Sequence, residues 1–389
     1  MIFRPEIRES LTLKFAESAN ERRKQGLNIL SLGLGEPEFD VPKEIIQATQ
    51  QILSTKKSGY SSPMGIPLLR EKIAEKFKKE NGINCSANNI IITPGSKQAL
   101  QLVLMTLLNP EDEVIVLTPA FVSFIPQIYI SEPNCVVHEV DVRKEDFSLP
   151  IEQIKQTVNS KTKLLILNTP NNPAGYMFEE KELKELYELA ERYDFYIVSD
   201  EIYEKLNFSG INHISVGSFE EKCKRVITIN GFSKSHAMTG WRVGYACFPE
   251  ELSSSLLKLQ QHINTNTCTF IQEALAETMD KIDESYLTDY NQKLRNRIIR
   301  FEKMIQSTPG LSSVIPAGGF FGFFNISALN VDSNTFCSKL ILETGVATTP
   351  GVAFGSNWDD HVRISFATKD EIVNEGLDLI SDFVKNNFR

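Results

Sequence analysis

The sequence has no apolar run approaching the roughly 18 residues of a membrane-spanning helix. It has no block of lysine and arginine. With 41 basic and 50 acidic residues the formal charge is −9, which weighs against nucleic acid or an anionic membrane as a partner. The six cysteines, Cys85, Cys135, Cys223, Cys247, Cys268 and Cys337, contain no C-x-x-C pair. In a chain of this length they read as reduced, mostly buried thiols of a cytoplasmic protein. The five histidines lack H-E-x-x-H or similar spacing, so no metal site is expected. Residues 1–10, MIFRPEIRES, place charges where a secretion signal needs an apolar core. No internal repeat or low-complexity linker divides the chain.

What remains is an ordinary globular composition, 41% apolar and 23% charged, over 389 residues. That length exceeds what one hydrophobic core usually serves, so two domains are expected. Short β-branched runs at 89–93, 113–117, 164–168, 195–199 and 225–229 alternate with helical patterns at 66–81, 97–108 and 179–193. Such runs read as strands buried on both faces, and the alternation predicts a mostly parallel sheet between helix layers. Further helices are expected at 9–26 and 42–53, and a strand at 29–34. A long polar-faced helix at about 280–308 leads to a smaller α/β unit, with strands at 320–326 and 362–366 and helices at 333–344 and 369–387. The expected fold class is therefore α/β. The large domain is placed at 46–285, and the small domain combines 1–45 with 286–389. Ligands in such sheets bind beyond the carboxyl ends of the strands. Asn172, Asp200 and Lys234 each fall just after a predicted strand.

Residues 230–245, NGFSKSHAMTGWRVGY, carry one lysine, Lys234, directly after Ser233, and one arginine, Arg242. A lysine amine can form a Schiff base, and burial lowers its pKa. An arginine fork suits a phosphate. An aldehyde-binding amine beside a phosphate clamp is what pyridoxal phosphate requires. Asp200, in V-S-D-E-I-Y, can hold a pyridine nitrogen protonated, and Tyr203 is one helical turn further on. Gly95, Ser96 and Lys97 follow a strand and open a helix, whose N-terminal amides suit an anion. In H-V-R-I-S-F-A-T, Arg363, Ser365 and Ala367 share one strand face, read as the polar one, and Val362, Ile364 and Phe366 the other. The G-x-G of L-G-L-G-E lacks a third glycine and is not a dinucleotide fingerprint.

The pattern S-K-x-x-x-M-x-G-W-R-x-G-Y resembles the cofactor-lysine signature of the class I/II aminotransferases, the fold-type I pyridoxal phosphate enzymes. The resemblance extends from about residue 29 to 368 and is closest to the bacterial aspartate aminotransferase-like subgroup. It implies a cofactor, pyridoxal 5'-phosphate, bound by Lys234 as a Schiff base. Lys234 is then also the catalytic base. Asp200 would face the ring nitrogen, and Tyr203 and Asn172 the phenolic oxygen. Phe121 would stack on the ring. Gly95, Ser96, Lys97, Ser233 and Arg242 would surround the phosphate, with Tyr60 reaching the phosphate of a neighbouring subunit in a homodimer. Arg363, Asn172 and a Gly35 amide would hold the substrate α-carboxylate.

The implied activity is transamination from an L-amino acid to a 2-oxo acid such as 2-oxoglutarate. Lys97 has two readings: a solvated first-turn lysine, or a contact for the side-chain carboxylate of aspartate. The Phe-rich stretch 318–324 either lines a side-chain pocket or fills a core strand. Two departures from the family pattern stand out: Gly231 where relatives have Ser or Thr, and Ala174 where Thr is usual. The motifs also serve lyases and oxidases of the same fold, and a non-catalytic pyridoxal-binding sensor is a remote alternative. The acidic chain, beginning almost at the first motif, speaks against the sensor.

Overall fold

The structure is a computed structural model that describes residue 7, residues 9–55 and residues 59–388. Most of the N-terminal decapeptide read above lies outside these, as does residue 389. Seven strands form the central sheet: β1 (Ile90–Thr93), β2 (Glu113–Thr118), β3 (Val136–Asp141), β4 (Thr162–Asn168), β5 (Tyr196–Asp200), β6 (Val226–Gly231) and β7 (Gly244–Cys247). Their order is β1-β7-β6-β5-β4-β2-β3. Every pairing is parallel except the two made by β7.

The β-branched runs become strands because both faces find a helix layer. Ile115, Leu117, Leu165, Leu167 and Ile197 point to one side and join a cluster with Leu183, Leu186 and Ala190 of the helix Glu180–Tyr193. The alternate residues Val114, Val116, Leu164, Ile166 and Val198 point to the other and meet Leu100, Val103 and Leu104 of the helix Ser96–Leu107. Period-two alternation within an all-apolar run marks a strand covered on both sides. The α/β expectation holds. The strand β3 was not foreseen. It lies at the sheet edge, and its V-V-H-E-V-D sequence leaves Val136 nearly half exposed.

Register delivers the functional segments to one edge. Asn168 lies opposite Asp200, and Asp200 opposite Ile229, so three parallel strands end level with one another. Antiparallel β7 sets Gly244 between Thr93 and Gly231. The loop after β1, the loop after β6 and the lead-in to β7 therefore meet at the same corner.

A second, antiparallel sheet comprises β8 (Phe321–Asn325), β9 (Thr349–Pro350) and β10 (His361–Ser365), in the order β9-β10-β8. The helix Ser285–Ser307 lays an apolar stripe of Leu287, Leu294, Ile298, Phe301 and Ile305 on a core with Phe324, Phe336, Leu377 and Ile380. Those spacings of three, four and seven are one helical face. The expected strand at 29–34 shortens to Leu30–Ser31, paired in parallel with Val346–Ala347. Beyond Leu32 the chain turns away and becomes cavity wall at Gly33–Glu36.

Every residue of β10 from His361 to Ser365 is buried, and the Arg363 face closes over a cavity. One sequence reading needs correction: the cysteines are not mostly buried. Cys135, Cys247 and Cys337 are, while Cys85 and Cys223 are half-buried and Cys268 is exposed. Cys85, Cys223 and Cys247, distant in sequence, converge because their segments flank adjacent strands. No described helix is long and apolar enough to cross a membrane.

Candidate active site

A cavity of about 470 Å³ opens at the carboxyl ends of the central strands, beneath the wall formed by residues 33–36, Phe321 and Arg363. At its floor is Asp200, the last residue of β5. One carboxylate oxygen accepts from the Ile202 amide at 3.2 Å. Burial pushes this carboxyl up to about 7, against the pull of that amide; Glu201 adds to the rise and Lys234 opposes it. Tyr203 stands beside it, buried, with Phe320 and Phe321 packed edgewise on its ring. Its phenol is raised, chiefly by burial and next by the Asp200 charge, and the Asn172 side chain hydrogen-bonds it.

Lys234 projects from the turn after β6. Its Nζ donates to the Gly35 carbonyl at 2.6 Å and lies 5.9 Å from the Tyr203 ring centre. Burial lowers it to about 8; Glu36 works against that shift, while Arg363 and Arg242 add to it. An amine so lowered is partly free base near neutrality. The turn carrying it is braced from outside: the Tyr286 hydroxyl donates to the Ser235 carbonyl at 2.8 Å, and the Ser235 hydroxyl meets His236 Nδ1 at 2.7 Å.

At the corner, Gly95 has φ +84° and precedes the helix Ser96–Leu107. A Cβ on Gly95 would come within 2.3 Å of Arg242 Nη2, and one on Gly244 within 2.2 Å of the Ser96 amide nitrogen. The bare backbone lets a guanidinium and a helix N-terminus share one concave spot, an arrangement suited to an anion. Gly231 belongs to the same packing, since its Cβ would sit 2.9 Å from the Gly244 Cα. The departure at 231 thus has a steric reason: β6 and β7 approach too closely there for serine or threonine. Ser233 lines the cavity nearby.

On the opposite wall, Arg363 Nη1 donates to Asn172 Oδ1 at 3.0 Å, and Nη2 to the Gly33 carbonyl at 2.6 Å and Thr349 Oγ1 at 3.2 Å. Phe321 and Phe354 flank the guanidinium, 4.3 and 4.9 Å away. Burial lowers this arginine to about 10, and its Nε is buried without a hydrogen-bond partner.

This chain is similar along nearly its whole length to proteins of known activity. The family described as aminotransferase class I and II matches residues 28–380. An aspartate aminotransferase of Pyrococcus abyssi is 36% identical over 90% of both chains. An aromatic-amino-acid aminotransferase of Thermococcus litoralis is 36% identical over 93% of both. A solved aspartate aminotransferase from Thermus thermophilus with maleate superposes with a TM-score of 0.91 at 35% identity, covering 97% of each chain. The chain belongs to the class I and II aminotransferases. It is a pyridoxal phosphate-dependent enzyme that transfers amino groups.

The residues of this aminotransferase fit that cofactor on their own geometry. A buried acid held near neutrality, a lowered amine, an anion corner and an orphaned guanidinium nitrogen border one space. Of the residues singled out by sequence, Gly35, Ser96, Lys97, Phe121, Asn172, Asp200, Tyr203, Ser233, Lys234, Arg242 and Arg363 line the cavity. Gly95 stands just behind it, against Arg242. Tyr60 does not reach this space; it is 91% exposed. Lys97 lies over the Phe121 ring at 5.4 Å, and its amine is lowered by burial and then by Arg242. Ala174 is buried, its amide donating to Asn171 Oδ1 at 2.9 Å.

Sequence reasoning missed Thr12 and Leu13, Glu36, Asn168 and Thr239. For Asn168 there was a signal: an amide at the end of a buried apolar strand. Its Oδ1 accepts from the Asn172 amide at 2.7 Å and its Nδ2 donates to the Asp200 carbonyl at 2.8 Å, joining two functional loops. Thr12 and Leu13 gave none, because their helix reaches the cavity only through tertiary packing.

Behind Asp200 lies a buried polar network. The Glu201 carboxylate accepts from Ser199 Oγ at 2.9 Å and Ser215 Oγ at 2.5 Å, and meets His213 Nε2 at 3.0 Å. Glu204 is paired with Lys76 and accepts from Asn81 at 2.6 Å. Among the described residues, Glu201, Glu204 and His213 form the one group close enough for a metal, but the Lys76 ammonium already answers Glu204.

Proposed function

We propose that this enzyme moves an amino group from a dicarboxylic L-amino acid, aspartate foremost, to a 2-oxo acid such as 2-oxoglutarate, with Lys234 as cofactor anchor and catalytic base. The observation that carries this reading is one cavity bordered by a lowered amine, a raised carboxyl and a buried guanidinium. The bound cofactor supplies an aldehyde that condenses with amines and a pyridine ring that stores an electron pair. Asp200 would keep the ring nitrogen protonated. The Tyr203 hydroxyl and Asn172 amide would hydrogen-bond the ring oxygen, with Phe121 beside the ring. The Ser96 hydroxyl, the amides at Gly95 to Lys97, Ser233 and Arg242 would hold the phosphate.

Arg363 grips the substrate α-carboxylate with two parallel N–H donors, aided by Asn172 and a Gly35 amide. That grip turns the Cα–H toward Lys234. With the cofactor bound, the Lys234 amine, lowered by burial, would serve as the base that takes and returns the Cα proton. The first product leaves as an oxo acid, and a second oxo acid reverses the sequence. Lys97, at the cavity mouth beside Phe121, meets the side-chain carboxylate. The names of the relatives and the dicarboxylate maleate in one of them support this choice.

The same reading divides the chain into a cofactor-binding domain at 46–285 and a small domain of 1–45 with 286–389. It makes the working unit a cytoplasmic homodimer, in which Tyr60 completes the neighbour's phosphate site. The test is Lys234→Ala. The variant should lose turnover entirely and lose the visible absorbance of the cofactor-loaded protein, while its far-ultraviolet circular dichroism stays unchanged. A folded variant that retains absorbance and activity overturns the assignment. Continued turnover by the wild type without any acceptor oxo acid, beyond one equivalent of product per active site, would overturn transamination in favour of elimination.

A further inference from the structure

At the sheet edge remote from the cavity, three thiols gather. Cys247 ends β7, opposite Thr228 and Ile90, and is buried. Cys223 lies in the bent loop 221–225 that leads into β6, and its sulfur is 3.6 Å from that of Cys247. Cys85, in the segment before β1, interacts with both. Cys223 is half-buried, so it meets solvent while Cys247 behind it does not.

The three are not chemically alike. Cys223 sits between Lys222 and Lys224, beside Arg225. Its contacts with the Cys247 and Cys85 thiols lower its pKa below that of an ordinary thiol, and its Sγ also lies 3.7 Å from the Asn84 carbonyl, which a protonated thiol donates to. Burial and its bond to Cys223 keep Cys247 a neutral thiol. A half-buried thiol of lowered pKa in contact with a buried thiol 3.6 Å away is the arrangement of an attacking and a resolving cysteine. The Glu220 carboxylate accepts the amides of Lys224, Arg225 and Val226 and repels negative charge on Cys223.

We propose that Cys223 and Cys247 form a peroxide-responsive pair that closes to a disulfide. The Cys223 sulfur attacks one oxygen of hydrogen peroxide: an S–O bond forms, the O–O bond breaks, the sulfur is oxidised to sulfenic acid, and the leaving hydroxide takes up the thiol's proton as water. The Cys247 sulfur then attacks the Cys223 sulfur. The S–S bond forms, the S–O bond breaks, and water leaves with the Cys247 proton. A disulfide is about 2.0 Å long. The sulfurs must therefore close from 3.6 Å, a shift the irregular loop 221–225 can supply without moving β7.

The test uses the cofactor-loaded enzyme treated with one to a few equivalents of hydrogen peroxide, blocked with an alkylating agent and digested without reduction. The expected result is a Cys223–Cys247 linked peptide, two hydrogens lighter than its parts, reversed by dithiothreitol. It should form before exposed Cys268 is oxidised. The Cys85→Ser variant should still form the link, and Cys223→Ser should not. If Cys223→Ser fails to fold, alkylation rates in the wild type decide: Cys223 should react at least tenfold faster than Cys268 at pH 7. A Cys85–Cys223 link, oxidation of Cys268 ahead of Cys223, or terminal oxidation of Cys223 without any link overturns the proposal.

Discussion

Arg363 is an always-charged group held almost wholly out of water by two phenylalanines, with one donor unpaired. Such a site gains most when a carboxylate arrives. Lysine there would supply charge but not the planar fork. Arg363→Lys should raise KM for every α-amino acid and lower kcat/KM by about 10- to 100-fold, the worth of one lost charged hydrogen bond. Steady-state kinetics with two unrelated donors checks this, and an unchanged KM removes the clamp. Lys97 differs, for it lines the cavity over the Phe121 ring, 5.4 Å from its centre. Lys97→Ala should cut kcat/KM for aspartate by about tenfold or more and leave phenylalanine nearly unaffected. Equal losses for both donors would reassign Lys97 to the phosphate.

At the scale of elements, the strand ends do the positioning. The end of β5 sends Asp200 into the cavity and Glu201 into the core behind it, where His213 and Glu204 wait. Burial opposes the charge on His213, but the Glu201 and Glu204 carboxylates outweigh it and raise the imidazole; the Lys76 ammonium opposes them weakly. A raised folded-state pKa stabilises the fold fully below the unfolded value, about 6.5, and that contribution fades as pH climbs through the folded value. His213→Gln should therefore be less stable than the wild type by about 1.5–3 kcal/mol at pH 6, with the gap narrowing by pH 9. Denaturant melts at both pH values check the sign. A gap that widens with pH would mean that His213 is buried neutral.

For the whole molecule, Tyr60 is the informative residue. Tyr60 is 91% exposed on one chain and does not line that chain's own cavity. In the proposed dimer, Lys234 of one subunit shares a site with Tyr60 of the other. Mixing Tyr60→Ala with Lys234→Ala subunits should restore about a quarter of wild-type activity, since half of the random dimers hold one intact site. If Tyr60 serves its own chain, the mixture recovers nothing beyond the parent variants.

Much of this was legible in order along the chain. Lys234, Asp200 and Asn172 follow buried strands, and buried strands announce themselves by short runs of β-branched residues. Ser96 opens a helix after a glycine, a local pattern. What escaped was what depends on distant neighbours. The edge strand β3 is half polar because only one side is paired. Alternation placed Arg363 on the polar face of its strand but cannot say whether that face meets water or a cavity. Thr12 and Leu13 lie far from every motif and reach the cavity by packing alone.

By itself the sequence determined the chemistry: which side chains can form a Schiff base, hold a ring proton or clamp an anion, and on which kind of element each stands. Those properties are covalent or local, set by residue type and by neighbours a few positions away. Only the tertiary structure decided which of them meet, how far burial moves the acid at 200 and the amine at 234, why 231 must be glycine, and that three scattered cysteines touch. Those depend on register and desolvation, which are sums over contacts between residues that the linear order keeps apart.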